Sequence, residues 1–323
     1  SGNLEALQDL ARRVGDPEAR SFMGKPLHTQ LTETYAGGVS WLLGADLAAA
    51  IAEGTIGISK EEAATMDGLG LLDATTMVIE RHRDGEWYAT NAEIRFSEKR
   101  RGIMAWLADP APMGSLEFVS PGAYVAASAV SKDGVEMFDD LLEFAISQDV
   151  LALEQLRLVE EIIGIDLRED FAATIGGEAT FALDGPMLPV PSWKLIVEVY
   201  DPGTLIHTMQ RAVDLVNLKF AAEGIPQLVF EASESSGRTY YTIGREGLDS
   251  QAVFTNVEGY IVFAPSMALI EQSIAYRTAG TTHASSGVFQ ALLPDNGFAD
   301  CSAHVNRDLG SLLDANPPEK LGQ

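Results

Sequence analysis

Four times along this sequence a short apolar segment runs into an aspartate and then into a segment of helical character. The four junctions are Asp46, Asp133, Asp201 and Asp308. Where the apolar residues alternate at period two, as before Asp46 and Asp308, the pattern is typical of a strand with one buried face. The aspartate predicts a helix N-cap, because its carboxylate accepts hydrogen bonds from the free N–H groups of the first helical turn. The sequence therefore predicts four strand–Asp–helix units.

Three of these units resemble one another over a longer stretch. Residues 27–47 align without a gap with residues 289–309, so that Leu31 corresponds to Leu293, and residues 118–133 follow the same order of apolar anchor, glycine turn, strand and aspartate. Strands, a helix and then the unit occur in this order twice. We interpret this as an internal duplication that gives two related lobes, residues 1–148 and residues 149–323.

The turn-forming residues between the units predict antiparallel strands. Asp84-Gly85 is a hairpin signal between alternating runs. We expect strands at 76–83, 86–96, 239–243, 251–255 and 259–263. We expect helices at 99–107 and, restarting near Ser147 or Asp149, over the acidic stretch 134–163, and a polar loop at 233–237. The predicted fold class is α+β, with mainly antiparallel sheets and helices packed on one face.

The charge of the chain argues against several partners. The formal net charge is −25, and residues 109–323 hold 31 acids and 11 bases. Such a surface repels phosphate backbones, so we expect no nucleic-acid binding and no direct binding to anionic membranes. A basic cluster around Arg81, Arg95 and Arg101 is interpreted as ordinary ion pairing. The sequence has no apolar run of membrane-spanning length and no signal peptide at its start.

No motif predicts a catalytic, cofactor-binding or metal-binding residue. The single cysteine, Cys301, is three residues from His304, which is the spacing of half a zinc site without the other half. We interpret Cys301 as a small core residue and expect no metal and no cofactor. The Gly-x-Ser-x-Gly pattern is absent, and the glycines of 67–73 are interpreted as a turn rather than a dinucleotide site.

Other residues have both a structural and a functional interpretation. The four tryptophans lie in apolar segments and are predicted to belong to the core: Trp41, Trp87, Trp106 and Trp193. The proline-containing segments 109–114 and 184–191 are candidate recognition loops, with stiff connectors between sheet elements as the alternative.

Residues 163–179 contain a short acidic helix that leads into Ile175-Gly-Gly-Glu-Ala179 and a strand, followed by the Asp201 unit and a meander with Gly259-Tyr-Ile-Val-Phe263. This order resembles a large family of bacterial extracytoplasmic proteins that is catalogued as a domain of unknown function, over about 155–313. The resemblance implies an export signal or membrane anchor upstream, and it implies no activity and no site residue.

These observations together predict a non-catalytic extracytoplasmic binding or scaffold module of the bacterial cell envelope, with an unknown protein or small-molecule ligand. The alternative is a hydrolase whose Ser, His and Asp residues come together between the lobes. The expected compartment is the periplasm or cell envelope, with the cytoplasm as alternative. The helix at 4–13 corresponds to the helix of the last copy, which follows a strand meander, so the repeat predicts strands before residue 4. We expect these strands in a longer precursor that begins with an export signal. The alternative is that the hairpin at 76–96 takes their place in the sheet.

Overall fold

A computed structural model describes residues 22–53, 59–84, 87–188, 190–245, 251–293 and 301–307, together with residues 8, 11 and 12. The chain forms two compact units, Ser1–Met104 and Ala105–Gln323. The division thus falls earlier than the expected 148/149. The physical reason is that strand Val125–Val130 pairs with strand Ile175–Leu183, which places the middle unit of the repeat in the second compact unit.

The first unit is a small α+β assembly. Its elements are α1 (Pro26–Ala36), β1 (Trp41–Asp46), α2 (Leu47–Ala52), α3 (Lys60–Gly68), β2 (Ala74–Asp84) and β3 (Trp87–Phe96). The predicted hairpin is confirmed as β2 and β3, and β2 also pairs antiparallel with β1. The hairpin and β1 form a three-stranded sheet in the order β1-β2-β3, and both alternatives for the N-terminal strands stay predictions.

Helix α1 packs against the sheet of this unit through a buried amide. Gln30 is fully buried, and its Oε1 accepts a hydrogen bond of 2.7 Å from the hydroxyl of Thr76 on β2. The helix predicted at 99–107 is wrong, because the segment forms only a 3-10 turn at Gly102–Ala105. Gly102 has a left-handed φ of +55°, which is incompatible with a continuous α-helix.

The second unit contains a larger α+β assembly. Its strands are β4 (Val125–Val130), β5 (Ile175–Leu183), β6 (Trp193–Val199), β7 (Leu228–Ser235), β8 (Arg238–Arg245), β9 (Gln251–Val257), β10 (Tyr260–Ala264) and β11 (Ala303–Arg307). Its α-helices are α4 (Gly134–Gln148), α5 (Ala152–Ile163), α6 (Pro202–Glu223), α7 (Met267–Ala279) and α8 (Gly287–Leu292). A 3-10 segment, Gly114–Phe118, precedes β4, and a π-helical segment, Leu167–Phe171, precedes β5.

The strands of this unit form one antiparallel sheet in the order β11-β4-β5-β6-β10-β9-β8-β7 within the described residues. Successive residues such as Val253 and Phe254 belong to different core clusters, so the sheet is covered on both faces. The first face, which carries Val253, packs against the 3-10 segment and α7. The second face, which carries Phe254, packs against α6.

The α+β class and the antiparallel sheets are therefore confirmed, but the helices of the larger sheet lie on two faces rather than one. The predicted meander is confirmed as β8, β9 and β10. The expected polar loop at 233–237 is wrong at its start, because β7 extends to Ser235 before a tight turn at Ser236-Gly237. The predicted break in the acidic helical stretch is confirmed, since Asp149 ends α4 and accepts from the N–H of Leu151.

Three of the four predicted N-caps are confirmed. The carboxylates of Asp46, Asp133 and Asp201 accept hydrogen bonds from the backbone N–H three residues later, at the starts of α2, α4 and α6. Asp308 lies outside the described residues. The duplication into two related lobes stays a prediction. Among the helices of the described ranges, none is both long enough and apolar enough to cross a membrane.

Candidate functional site

Strand β5 and the residue that follows it carry two buried carboxylates on the first-face side. Glu178 and Asp184 are 7% and 4% exposed. The backbone N–H of Ser115 donates to Glu178, and that of Ser120 donates to Asp184 at 2.9 Å. The hydroxyl of Tyr260 also donates to Glu178, at 2.8 Å. The two carboxylates thus bind both ends of the segment that covers the first face, because a buried N–H needs a hydrogen-bond partner.

Asp184 also forms a buried ion pair. The Nζ of Lys194, on β6, lies 2.7 Å from Asp184 Oδ2, and the lysine side chain is fully buried. The ammonium lies 5.2 Å from the centre of the Tyr276 ring on α7. Burial lowers the pKa of Lys194, while the charge of Asp184 and its hydrogen bond oppose that shift. The hydroxyl of Ser120 donates to the remaining carboxylate oxygen.

Two histidines lie near this ion pair. His283 is fully buried, His304 on β11 is 6% exposed, and their Nε2 atoms are 3.2 Å apart. One ring must donate and the other accept, so both rings cannot carry a proton at this contact. Burial lowers the pKa of His283, although Asp184 opposes the shift. Burial, followed by the charge of His283, lowers the pKa of His304 to about 4. Both rings are therefore neutral near pH 7.

We refer to Ser120, Asp184, Lys194, Tyr276, His283 and His304 as the buried polar cluster. It brings together the residue types that the hydrolase alternative requires. However, Ser120 donates its proton to Asp184, which already accepts from Lys194, and not to a neutral imidazole that could act as a general base. The arrangement suits the fastening of the 3-10 segment and β11 to the sheet better than nucleophilic catalysis.

An apolar pocket lies on the second face, near the C-terminal end of α6. It has a volume of about 550 Å³ and is lined by Trp193, Phe220, Leu228, Ile243, Gly244, Arg245, Gln251 and Ala252. Trp193 comes from the start of β6 and Phe220 from the last turns of α6, whereas the other lining residues lie at the ends of β7, β8 and β9. The pocket is largely open to solvent, and its volume lies within the range of small-molecule sites in proteins.

The polar contacts around the pocket fix its walls. The side-chain amide of Asn217 donates to the carbonyl of Leu228 and accepts from its N–H, both at 2.7 Å, which fixes α6 against the edge strand β7. The guanidinium of Arg245 lies 5.1 Å from the centre of the Phe220 ring, and its Nε donates to the carbonyl of Pro226. Among the lining residues that the structure describes, Arg245 is the cationic one. This described lining is thus apolar with one positive group at its border.

Each predicted recognition loop combines one buried residue with several exposed ones. In 109–114, Met113 is 8% exposed, whereas Asp109, Pro110 and Pro112 are exposed. In 184–191, Asp184 belongs to the buried polar cluster, whereas the exposed residues are Pro186, Leu188, Val190 and Pro191. The recognition and connector interpretations of both loops therefore stay predictions.

The tryptophans differ from the core prediction. Trp41 is 45% exposed, Trp193 lines the pocket, and the indole N–H of Trp106 donates to Asp140 at 3.0 Å. The side chain of Trp87 is outside the described residues. A single tryptophan in an alternating segment marks a sheet face, but it does not show whether that face is covered.

The residues singled out for metal or charge do not come together as a binding site. Cys301 packs partly buried against the core of the first face, and His304 pairs with His283. Within the described residues, no three side chains of the metal-ligating types converge. In the basic cluster, Arg95 pairs with Glu93 at 2.7 Å and Arg101 with Asp73 at 2.6 Å, as expected for ordinary ion pairing.

Comparison of the chain with protein-family models, with curated proteins and with solved structures gives no significant match.

Proposed function

We propose that this protein is a non-catalytic binding module of the bacterial cell envelope, and that the pocket beside α6 binds an elongated apolar molecule that carries an anionic group. The observation that carries the proposal is the pocket itself, with its apolar walls and the guanidinium of Arg245 at the border. Apolar walls favour an aliphatic or aromatic body, and a guanidinium favours a carboxylate or a similar oxyanion.

The construction of the pocket supports binding rather than catalysis. Among the lining residues that the structure describes, Arg245 is the one charged side chain and Gln251 the one amide, and no nucleophile is paired with a base. Removing the ligand from water contributes about 25 cal/mol for each Å² of apolar surface that is buried. One charge-assisted hydrogen bond adds about 1.5–3 kcal/mol and fixes the orientation of the ligand.

The proposed compartment, the cell envelope, rests on the sequence resemblance over 155–313. A large domain of an envelope protein can fold without a disulfide, so the single cysteine is compatible with this compartment. Fractionation of the bacterial host, followed by immunodetection of the native protein, tests it. We expect the protein in the periplasmic or envelope fraction. Recovery with a cytoplasmic marker enzyme would overturn this part of the proposal and leave the ligand class untouched.

Binding is tested with dansyl-labelled undecanoate, an apolar chain with a terminal carboxylate. Because Trp193 lines the pocket, we expect energy transfer from tryptophan to the bound dansyl group. Arg245→Gln should weaken binding of the acid about tenfold and leave binding of its methyl ester unchanged. Ala252→Trp, which fills the pocket, should abolish binding of both.

Lys219→Gln is the matched control, because it removes an exposed cation from the residue beside Phe220. Its affinity for the acid should equal that of the wild type. The proposal is wrong if Ala252→Trp folds, as judged by circular dichroism, and still binds the acid with wild-type affinity. Equal weakening by Arg245→Gln and Lys219→Gln would show a general charge effect instead.

The second candidate function is a hydrolase, and the observation in its favour is that Ser120, Asp184 and His283 belong to one cluster. Reaction with a fluorophosphonate probe distinguishes the two proposals. A binding module leaves Ser120 unlabelled. Labelling that disappears in Ser120→Ala would favour the hydrolase.

A further inference from the structure

Helix α5 exposes an apolar stripe. Leu158 and Ile162 are 57% and 67% exposed, and Val159 and the N-cap residue Leu151, which directly precedes the helix, are also exposed. Leu151, Leu158 and Ile162 are seven and four residues apart, which places them on one side of the helix. We call these four residues the α5 stripe. It extends about 16 Å along the helix, at about 1.5 Å per residue.

The stripe is distinct from the side by which α5 packs on its neighbours. Helix α5 contacts α4 and α6, and its less exposed apolar residues, such as Leu156 and Ile163, lie on the other part of its circumference. The apolar arc of α5 is therefore wider than the buried part of the helix. Scattered single apolar residues on a surface are ordinary, whereas a contiguous stripe marks an interaction surface.

The charges around the stripe are acidic. Residues 133–170 contain 12 acids against Arg157 and Arg168. Of these two arginines, Arg168 is bound by Asp139 at 2.9 Å and by Glu169 at 2.7 Å. Glu154 and Glu161 are exposed and lie along one border of the stripe, with the exposed Arg157 between them, so that two acids face one base on this border. A partner that covers the stripe therefore meets a negative potential.

We propose that the α5 stripe binds a basic amphipathic helix of a partner protein. The stripe is long enough for about three turns of such a helix, whose apolar residues at i, i+3, i+4 and i+7 would pack against Leu158 and Ile162. Lysine or arginine residues beside that apolar face would meet Glu154 and Glu161. A second copy of this chain would bring acids against acids, and an anionic membrane would be repelled.

The test uses two synthetic helical peptides with the same leucine pattern, one with lysine and one with glutamate at the polar positions. Fluorescence anisotropy measures their binding to the full chain. We expect the Leu/Lys peptide to bind, with an affinity that falls as salt is added, and the Leu/Glu peptide not to bind. The double variant Leu158→Ser/Ile162→Ser should weaken binding at least about tenfold.

Two controls separate the stripe from general effects. Leu218→Ser removes an apolar residue of α6 that is 70% exposed, and it should leave the affinity unchanged. Glu154→Gln/Glu161→Gln should weaken binding about threefold or more, whereas Glu223→Gln/Glu231→Gln, which removes two other exposed acids, should not.

The proposal is overturned if Leu158→Ser/Ile162→Ser binds the Leu/Lys peptide as tightly as the wild type does. It is also overturned if the wild type is a dimer that this double variant converts to a monomer, or if the stripe binds vesicles containing phosphatidylglycerol. Ala252→Trp should not affect peptide binding, so the outcome is independent of the proposed pocket.

Discussion

Replacing Lys194 by methionine removes the ammonium of the buried ion pair and leaves the rest of the buried polar cluster in place. Asp184, whose side chain is 5% exposed, would then keep only the two donors of Ser120. Removing one partner of a buried ion pair costs about 3–5 kcal/mol, because the other charge stays desolvated. We therefore expect Lys194→Met to destabilise the protein by about 3–5 kcal/mol.

Asp184→Leu should cost a similar amount near pH 7, because the ammonium of Lys194 would be left with the Tyr276 ring at 5.2 Å as its neighbour. In that variant the penalty should decrease as the pH rises, since burial already lowers the pKa of Lys194 and a neutral amine is cheaper to bury. The double variant should cost much less than the sum of the two, with about 1–3 kcal/mol remaining for the unpaired donors of Ser120.

Urea titration followed by circular dichroism and tryptophan fluorescence measures these differences, and agreement between the two probes checks that the transition is two-state. Arg168→Met is the control, because its pairs with Asp139 and Glu169 are exposed and should contribute much less than the buried ion pair. The reasoning is refuted if Lys194→Met costs less than about 1 kcal/mol, or if the two single costs add in the double variant.

Burial of His304 makes the stability of the protein depend on pH. The pKa of His304 is about 4 in the folded state and about 6.5 in the unfolded state. The stability that the neutral ring provides is therefore present above pH 6.5 and is lost as the pH falls toward 4. His304→Gln should reduce this loss of stability, which is at most about 3 kcal/mol, whereas His207→Gln, at an exposed position, should not reduce it. Urea midpoints across this pH range measure the difference. Asp201→Ala should lower the urea midpoint because it removes the N-cap of α6, and Asp201→Asn should lower it less; equal midpoints of the wild type and Asp201→Ala would contradict the capping argument.

Local signals predicted the parts of the fold that depend on a few adjacent residues. Asp46, Asp133 and Asp201 cap helices because a carboxylate within three residues of a free N–H needs no distant partner. The Asp84-Gly85 hairpin has the same local origin. The pairing of β11 with β4, by contrast, joins segments that are far apart in sequence, and no nearby residue encodes it.

Strand β5 and the following Asp184 show why the buried polar contacts of the first face could not be predicted. Its polar residues Glu178 and Thr180 face inward, whereas Phe181 on the other side is 42% exposed. Alternation predicts a strand but assumes that the apolar side is the buried side. Here the partners of the polar side come from Ser115 and Ser120, more than fifty residues earlier in the chain. The pocket has the same difficulty, because Trp193, Phe220 and Ala252 meet only in the fold.

The two faces of the larger sheet differ in a way that bears on binding. The first face is closed by the buried polar cluster, whose ion pair and hydrogen bonds require fixed positions for the covering segment. The second face is apolar along one register row, from Val305 through Phe181 and Leu195 to Phe263 and Phe254. Along this row Phe254 is fully buried, whereas Phe181 and Val305 are 42% and 70% exposed.

Helix α6 covers one end of this row, and the pocket lies on the same face beside the end of α6. Apolar contacts lack the directional requirements of the buried polar cluster, so the second face can accept ligands of varied length without breaking a hydrogen bond. An apolar surface that the described part of its own chain leaves partly uncovered is the usual mark of a binding surface. The distribution of polar and apolar contacts therefore supports the proposal that the second face binds the ligand, whereas the first face holds its covering segment in a fixed position.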